Sequence, residues 1–201
     1  MITLYGVPMS RAFRSLWALE ELGLEYKNVP THWGTGDTRT AEFLKINPNG
    51  HIPALVDGET VLWESLAINL YLARKYGAGK LWPASVADEG RAFQWSLWAM
   101  TEAEGPLLAV LMNRRVLPAE QRDAAAAAAG EAKIAGPLGV LEGALRGRSY
   151  LLGESFSIAD LNVASVLAWV TLAGLDISKW PQVAGWLQRC TDRPACKKAR
   201  G

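Results

Sequence analysis

Ser10, the Ile52-Pro53 pair and the Glu64-Ser65 pair are the positions where residue type and setting could do chemistry. In Asn47-Pro48-Asn49-Gly50-His51-Ile52-Pro53-Ala54-Leu55 a tight turn runs into a short apolar strand that opens on an Ile-Pro bond. Proline donates no backbone hydrogen bond, so it opens a strand where that edge serves something else. An X-Pro bond at such a kink is a candidate cis peptide. Ile52 would then hold its N–H and C=O away from the sheet, free to pair with an extended peptide by strand addition. The alternative is a turn followed by an ordinary edge strand. Ser10 stands at the N-cap of a helix, a hydroxyl donor backed by a helix N-terminus, which suits an anion. Glu64-Ser65 opens the helix that runs to Tyr76.

The elements that position these residues are read from periodicity and punctuation. Ile2 to Tyr5 alternates as a strand, and Gly6-Val7-Pro8-Met9 is a loop. The helix after Ser10 runs to about Leu22 on a stripe of Ala12, Leu16 and Leu19, with Phe13 and Trp17 beside it and Gly23 as its stop. Tyr26 to Val29 is the second strand of a β-α-β unit. Thr31 to Thr40 is a polar loop with His32, Trp33, Gly34 and Gly36, and Ala41 to Ile46 is a short helix. Ala54 to Val56 and Thr60 to Trp63 form a hairpin across Asp57-Gly58. The helix from Glu64-Ser65 to Tyr76 is apolar nearly all round (Leu66, Ala67, Ile68, Leu70, Tyr71, Leu72), so it needs cover on two sides.

Gly77 to Pro83 is a linker, after which strand signals vanish. One long helix carries Phe93, Trp95, Leu97, Trp98 and Met100 and continues past Pro106 with a kink. The alanine run Ala124 to Ala129 is helix, and Pro137 should bend or end it. Ser157-Ile158-Ala159-Asp160 resembles a capping box, stapled by Phe156 and Leu161. A buried helix follows over Leu161 to Val170, and a last helix begins near Pro181. The order β-α-β, β-β-α, all-helical gives an α/β thioredoxin-like domain with a mixed four-stranded sheet, followed by an all-α domain. The boundaries are 1–77, a linker 78–85, and 86–201. In a thioredoxin-like half Ser10 holds the loop-to-helix position of the reactive group. Thiol-disulfide exchange there is excluded, because residues 1–189 contain no cysteine.

Composition bounds the partners. The chain has 201 residues, half of them hydrophobic, enough for a sizeable core. A formal net charge of +1 argues against nucleic acid or an anionic membrane surface as the main partner. No signal peptide opens the chain, and the apolar run near Leu161 is broken by Asn162, Ser165 and Thr171 and is too short for a membrane span. The only cysteines, Cys190 and Cys196, point to a reduced, cytoplasmic protein, with a disulfide between them or a metal role as the other options, though no His lies near them.

Ser10-Arg11, Asn47-Pro48-x-Gly50-x-Ile52-Pro53-Ala54-Leu55, Glu64-Ser65 and Ser157-Ile158-Ala159-Asp160, four motifs in register with Leu81-Trp82-Pro83 as linker, resemble a cytosolic glutathione S-transferase. The chain is most similar to the serine-type branch, the theta-, phi- and delta-like enzymes, with a bacterial character. The resemblance implies glutathione as co-substrate, no metal, and conjugation of its thiol to small hydrophobic electrophiles. Other outcomes are a glutathione-dependent peroxidase, isomerase or lyase, or a non-catalytic binding module. It implies that Ser10 donates to the thiolate, with Tyr5 as rival. Glu64 would take the γ-glutamyl amine and Ser65 the carboxylate. Ile52, held by a cis Pro53, would pair with the cysteinyl backbone, and Thr38, Arg39 and His51 would approach the glycine end. The family often carries Gln, Lys or Arg where this chain has His51. Arg11 adds positive field or is a surface residue. Met9, Trp33, Trp95, Trp98 and Glu104 are candidates for the electrophile pocket. A homodimer is implied.

Overall fold

A computed structural model describes residues 1–201. The chain divides into two compact units, one of residues 1–84 with 193–201, the other of residues 85–192.

The first unit is built on a sheet of β1 (Ile2–Tyr5), β2 (Tyr26–Val29), β3 (Ala54–Asp57) and β4 (Thr60–Trp63) in the order β2-β1-β3-β4. β2 is parallel to β1, and β3 is antiparallel to both β1 and β4, so the sheet is mixed as expected. Ile2 and Leu4 are buried while Thr3 and Tyr5 are half-buried, the period-2 alternation of a strand. Asp57 lies in the ladder opposite Thr60, so the hairpin turn is Gly58-Glu59, with Gly58 at φ 63. Asp57 then anchors the helix after β4: Tyr71, Lys75 and Tyr76 all donate to its Oδ2, at 2.9, 2.8 and 2.7 Å.

α1 (Ala12–Leu22) buries every residue from Ala12 to Leu19. It ends in a Schellman turn: Gly23 takes φ 66, its N–H bonds Glu20 O, and Leu24 N–H bonds Leu19 O. α2 (Ala41–Ile46) is capped by Thr40, whose Oγ1 accepts from Phe43 N–H. In the polar loop before it Asp37–Arg39 forms a 3-10 turn. α3 (Ser65–Tyr76) buries a single stripe of Ser65, Leu66, Ile68, Asn69, Leu72 and Ala73. The expected all-round burial is corrected: Ala67 is exposed and Leu70 and Tyr71 are half-buried, because only one face has cover from this chain.

The second unit is helical. α4 (Val86–Trp98) passes through a π-helical segment, Ala99–Glu104, into α5 (Gly105–Leu111), and a second π segment, Met112–Val116, ends the run. Pro106 does not stop it, because it falls in the first turn of α5, where its missing N–H is harmless. α6 (Ala124–Ala144) starts on Asp123, whose Oδ1 accepts from Ala125 and Ala126 N–H. Pro137 lies inside α6 and does not end it. The buried stripe Ala127, Gly130, Ile134, Leu138 and Leu141 continues on both sides of it, and that packing outweighs one missing hydrogen bond. Gly130 is needed there: a Cβ would lie 2.7 Å from Pro106 O, where α5 crosses.

α7 (Ile158–Leu167) is buried along its length and breaks at Ala168 before α8 (Trp169–Ala173), so the expected single helix is two. Asp160 closes its head, accepting from Ser157 N, Ser157 Oγ, Leu151 N and Trp186 Nε1 at 2.7 to 3.0 Å. α9 (Pro181–Thr191) follows. One more helix, α10 (Pro194–Arg200), was not separated in the sequence, and it belongs to the first unit. There Arg193 forks onto Glu21, Lys198 pairs with Glu20, and the Arg200 guanidinium stacks 5.2 Å from the Phe13 ring centre. A helical domain running to residue 201 therefore gives way to one ending at Asp192. Both cysteines are buried and neither forms a disulfide. No helix is long and apolar enough to cross a membrane.

Candidate active site

The site residues of the first unit gather at one end of its sheet, where β1 ends, β3 begins and β4 leads into α3. Ile52-Pro53 is a cis peptide bond, and Pro53 is buried. Pairing of β1 with β3 stops at Tyr5↔Ala54, so Ile52 lies outside the ladder. None of the loop's backbone hydrogen bonds uses the Ile52 N–H or C=O. The turn before it is rigid. Asn47, 2% exposed, donates through Nδ2 to His51 O at 2.6 Å and accepts Asn49 N–H on Oδ1 at 3.0 Å. Gly50 takes φ 63, and a Cβ there would lie 2.5 Å from Arg39 Nη1 and 2.9 Å from Thr38 O. The Arg39 guanidinium therefore packs directly on the Gly50 backbone, and Thr38 is buried beneath it.

The head of α3 is the second component. Ala54 pairs with Trp63, so Glu64 and Ser65 follow at the level of Pro53 and Ile52. Glu64 is the only non-glycine residue at positive φ, 71°, and its side chain makes no cap hydrogen bond. Such strain is of order 1–3 kcal/mol and persists where the surroundings impose it. The first N–H groups of α3 have no intrahelical partner and no side-chain cap, so they present positive potential outward. Beneath them Arg14, 1% exposed, points Nη1 at Ser65 Oγ, 3.4 Å away. Ser15 Oγ donates to Ser65 O at 3.3 Å, and Asn69 Nδ2 donates to Arg14 O at 3.2 Å, fixing α1 against α3. Arg14 was missed in the sequence. The signal was there, since an arginine inside the buried run Ala12–Leu19 is rare unless it is paired or functional.

Ser10 is the third. It lies one residue before the helix cap, which is Arg11, so the expected N-cap is displaced. The first turn is tight: Phe13 N–H bonds Ser10 O, and Arg14 N–H bonds Arg11 O. The half-buried hydroxyl accepts from Ala12 N–H at 3.1 Å and donates to Val7 O at 2.7 Å. Tyr5 is at the end of β1 with its ring edge-on to Phe43, centroids 6.0 Å apart, a packing contact on the α2 side. Around the same end of the unit Met9 and Trp33 are 84% and 60% exposed.

The remaining pocket candidates belong to the second unit. Trp95 and Trp98 are half-buried and T-stacked at 5.1 Å, and Glu104 is buried at the end of the π segment.

The first unit is a thioredoxin-like domain with an uncapped helix head level with an unpaired Ile52 backbone, and the second is all-helical. The family models for the glutathione S-transferase N-terminal domain and C-terminal domain match residues 1–74 and 102–194. The chain is 34% identical to glutathione S-transferase GstB of Escherichia coli over 201 residues, covering 98% of this chain and 97% of that one. It is 34% identical to glutathione S-transferase 3 of Zea mays over 209 residues, covering 98% and 92%. Among solved structures, the theta class glutathione S-transferase of Xanthomonas axonopodis pv. citri with glutathione bound superposes with a TM-score of 0.91 at 30% identity, covering 98% and 96%. The chain belongs to the glutathione S-transferase family.

Proposed function

We propose that this chain binds glutathione along the Ile52 backbone and conjugates it, through its sulfur, to small apolar electrophiles. The observation that carries the reading is the uncapped head of α3, with buried Arg14 under it, beside an Ile52 backbone that no other strand uses. The γ-glutamyl carboxylate takes the open N–H groups of α3 and Ser65 Oγ, and the amine takes the Glu64 carboxylate. The cysteinyl backbone pairs with Ile52. The Xanthomonas relative, which shares this fold, has glutathione bound in its crystal structure.

Ser10 activates the thiol without becoming a nucleophile. A free thiol ionises near pH 8.5, so only a few per cent is thiolate at neutral pH. Each unit of lowering takes about 1.4 kcal/mol of differential stabilisation. Rotation about the Cβ–Oγ bond swings the Ser10 proton from Val7 O toward the sulfur while Oγ keeps its bond from Ala12 N–H. Ala12 N–H bonds the hydroxyl oxygen and polarises it as a donor. The thiolate attacks the electrophilic carbon, the C–S bond forms, the leaving group departs with its electron pair, and the thiol proton goes to solvent. Met9 and Trp33 offer apolar surface at that end of the unit.

The active form is a homodimer in the cytoplasm. Val86, Phe93 and Leu97, 83%, 44% and 66% exposed, line one face of α4, and such a face is a docking surface. The test of function is retention on immobilised glutathione followed by a panel of small electrophiles and hydroperoxides. Retention with conjugation supports the reading, and retention without turnover reduces the protein to a binding module. Turnover that survives Ser10→Ala but not Tyr5→Phe would reassign the thiol's donor.

A further inference from the structure

We propose that the cleft between the α6–α7 loop and α9 is a second binding site, for a small phosphate monoester that carries hydroxyl groups. The cleft lies wholly in the second unit, whereas Ser10, Ile52 and the head of α3 belong to the first.

The loop forms one wall and α9 the other. Arg148, Ser149, Tyr150 and Glu154 line the cleft from the loop, and Gln182 and Arg189 line it from α9. Its volume is about 580 Å³, within the range of about 300–1,000 Å³ typical of small-molecule sites. The walls are tied to each other before any ligand arrives. Arg189 Nη2 donates across the cleft to Ser149 O at 3.1 Å. Buried Asp160 joins them from below, since its Oδ1 accepts Leu151 N–H from the loop and Trp186 Nε1–H from α9. Each wall is also braced by itself. Tyr150 and Gly153 exchange backbone hydrogen bonds at 2.8 and 3.2 Å, and the Tyr150 ring is T-stacked on Phe156. On α9 the Glu142 carboxylate accepts Gln182 N–H and Val183 N–H. Gln182 and Arg189 are about two turns apart, so they share a face of that helix. Between them Gly185 leaves room for the Arg189 guanidinium, whose Nη1 lies 3.5 Å from where a Cβ would be.

The lining is rich in donors. Arg189 spends one donor on Ser149 O and keeps the others, and the Arg148 side chain has no hydrogen-bond or ion-pair partner. The single acid, Glu154, already takes the Ser149 hydroxyl on Oε2 at 2.6 Å. Two guanidinium groups therefore face one engaged carboxylate, and the cleft is net positive. Guanidinium forks match the oxygens of a phosphate in geometry as well as charge. A bare phosphate would leave most of the cleft to water, so the ligand that fills it has a body. Glu154 Oε1 and the Gln182 amide can receive hydroxyl groups on that body, and Tyr150 adds apolar surface beside it.

The experiment is titration calorimetry of the full chain at fixed ionic strength with glucose 6-phosphate, inorganic phosphate, glucose and citrate. Glucose 6-phosphate should bind saturably at one per chain, inorganic phosphate about tenfold more weakly, and glucose not measurably. Arg148→Gln should weaken glucose 6-phosphate about tenfold with the melting temperature of the free protein unchanged, because Arg148 holds nothing in the fold. Arg189→Gln should weaken it at least as much. Glu154→Gln removes a like charge and should tighten inorganic phosphate about two- to fivefold. Lys133→Gln, on the exposed face of α6, should change nothing. No saturable binding, affinity that survives Arg148→Gln, or an equal loss in Lys133→Gln overturns the site. Citrate binding more tightly than glucose 6-phosphate overturns the phosphate assignment. None of these outcomes depends on whether the first unit binds glutathione.

Discussion

The heads of α7 and α3 each hold a serine and an acid, and they treat their N-termini in opposite ways. At α7 the acid, Asp160, turns inward and takes four donors, two from Ser157 and one each from Leu151 and Trp186. At α3 the acid, Glu64, turns outward at φ 71 and caps nothing, while Ser65 sits over buried Arg14. The first head is closed by its own side chain and contributes stability. The second is strained and left uncapped by any side chain, its positive end open. A helix head satisfied from within supports the fold, and one left unsatisfied at a strained residue marks a place for a ligand.

The sharpest test of that contrast is at the closed head. Asp160→Ala leaves the Trp186 and Leu151 N–H groups buried without an acceptor and should cost about 3 kcal/mol or more of stability by chemical denaturation. A loss below 1 kcal/mol would mean the box is ornamental. Next comes Ser10→Ala, which should raise the pH at which bound glutathione ionises by about one to two units, read from the thiolate absorbance, with about a ten- to hundredfold loss of turnover at neutral pH. Ser65→Ala should weaken glutathione binding about tenfold with little change in melting temperature, the reverse of Asp160→Ala. Equal damage to stability at both serine–acid heads would erase the distinction.

The smallest effects are the most diagnostic. Glu64→Gly releases the left-handed strain and should raise stability by about 0.5–1 kcal/mol while glutathione affinity falls. Away from both heads, burial pushes the Asp57 carboxyl up, but the hydrogen bonds from Lys75, Tyr76 and Tyr71 outweigh it and hold the group below its ordinary range. Its stabilising share is therefore fully present above about pH 4 and fades as pH falls through the lowered value. Acid unfolding curves of Asp57→Asn should lack that component, and identical curves for the two proteins would remove Asp57 from the account.

The sequence was most legible where a local rule decides the outcome. Alternation gave Ile2–Tyr5, the αL glycine at 23 ended α1, and the Ile52-Pro53 kink announced its cis bond. The capping box at Ser157 could be read from four residues. What failed depended on contacts between distant segments. Pro137 continues a helix because Ile134, Leu138 and Leu141 are packed on both sides of it. Arg14 is hidden under Ser65, 51 positions later, so no local window pairs them. Ser10 moved off the cap because the first turn of α1 closes tightly through Ser10 O and Arg11 O.

The return of α10 to the first unit has a consequence for synthesis. Glu20, Glu21 and Phe13 receive their partners Lys198, Arg193 and Arg200 only after residues 85–192 have been made. A nascent chain stalled at Ala84 would carry Ser10, Ile52 and the head of α3 yet leave that flank of α1 bare. Residues 193–200 must leave the ribosome before the earliest module can close, so that module matures after the helical one has been made and not ahead of it.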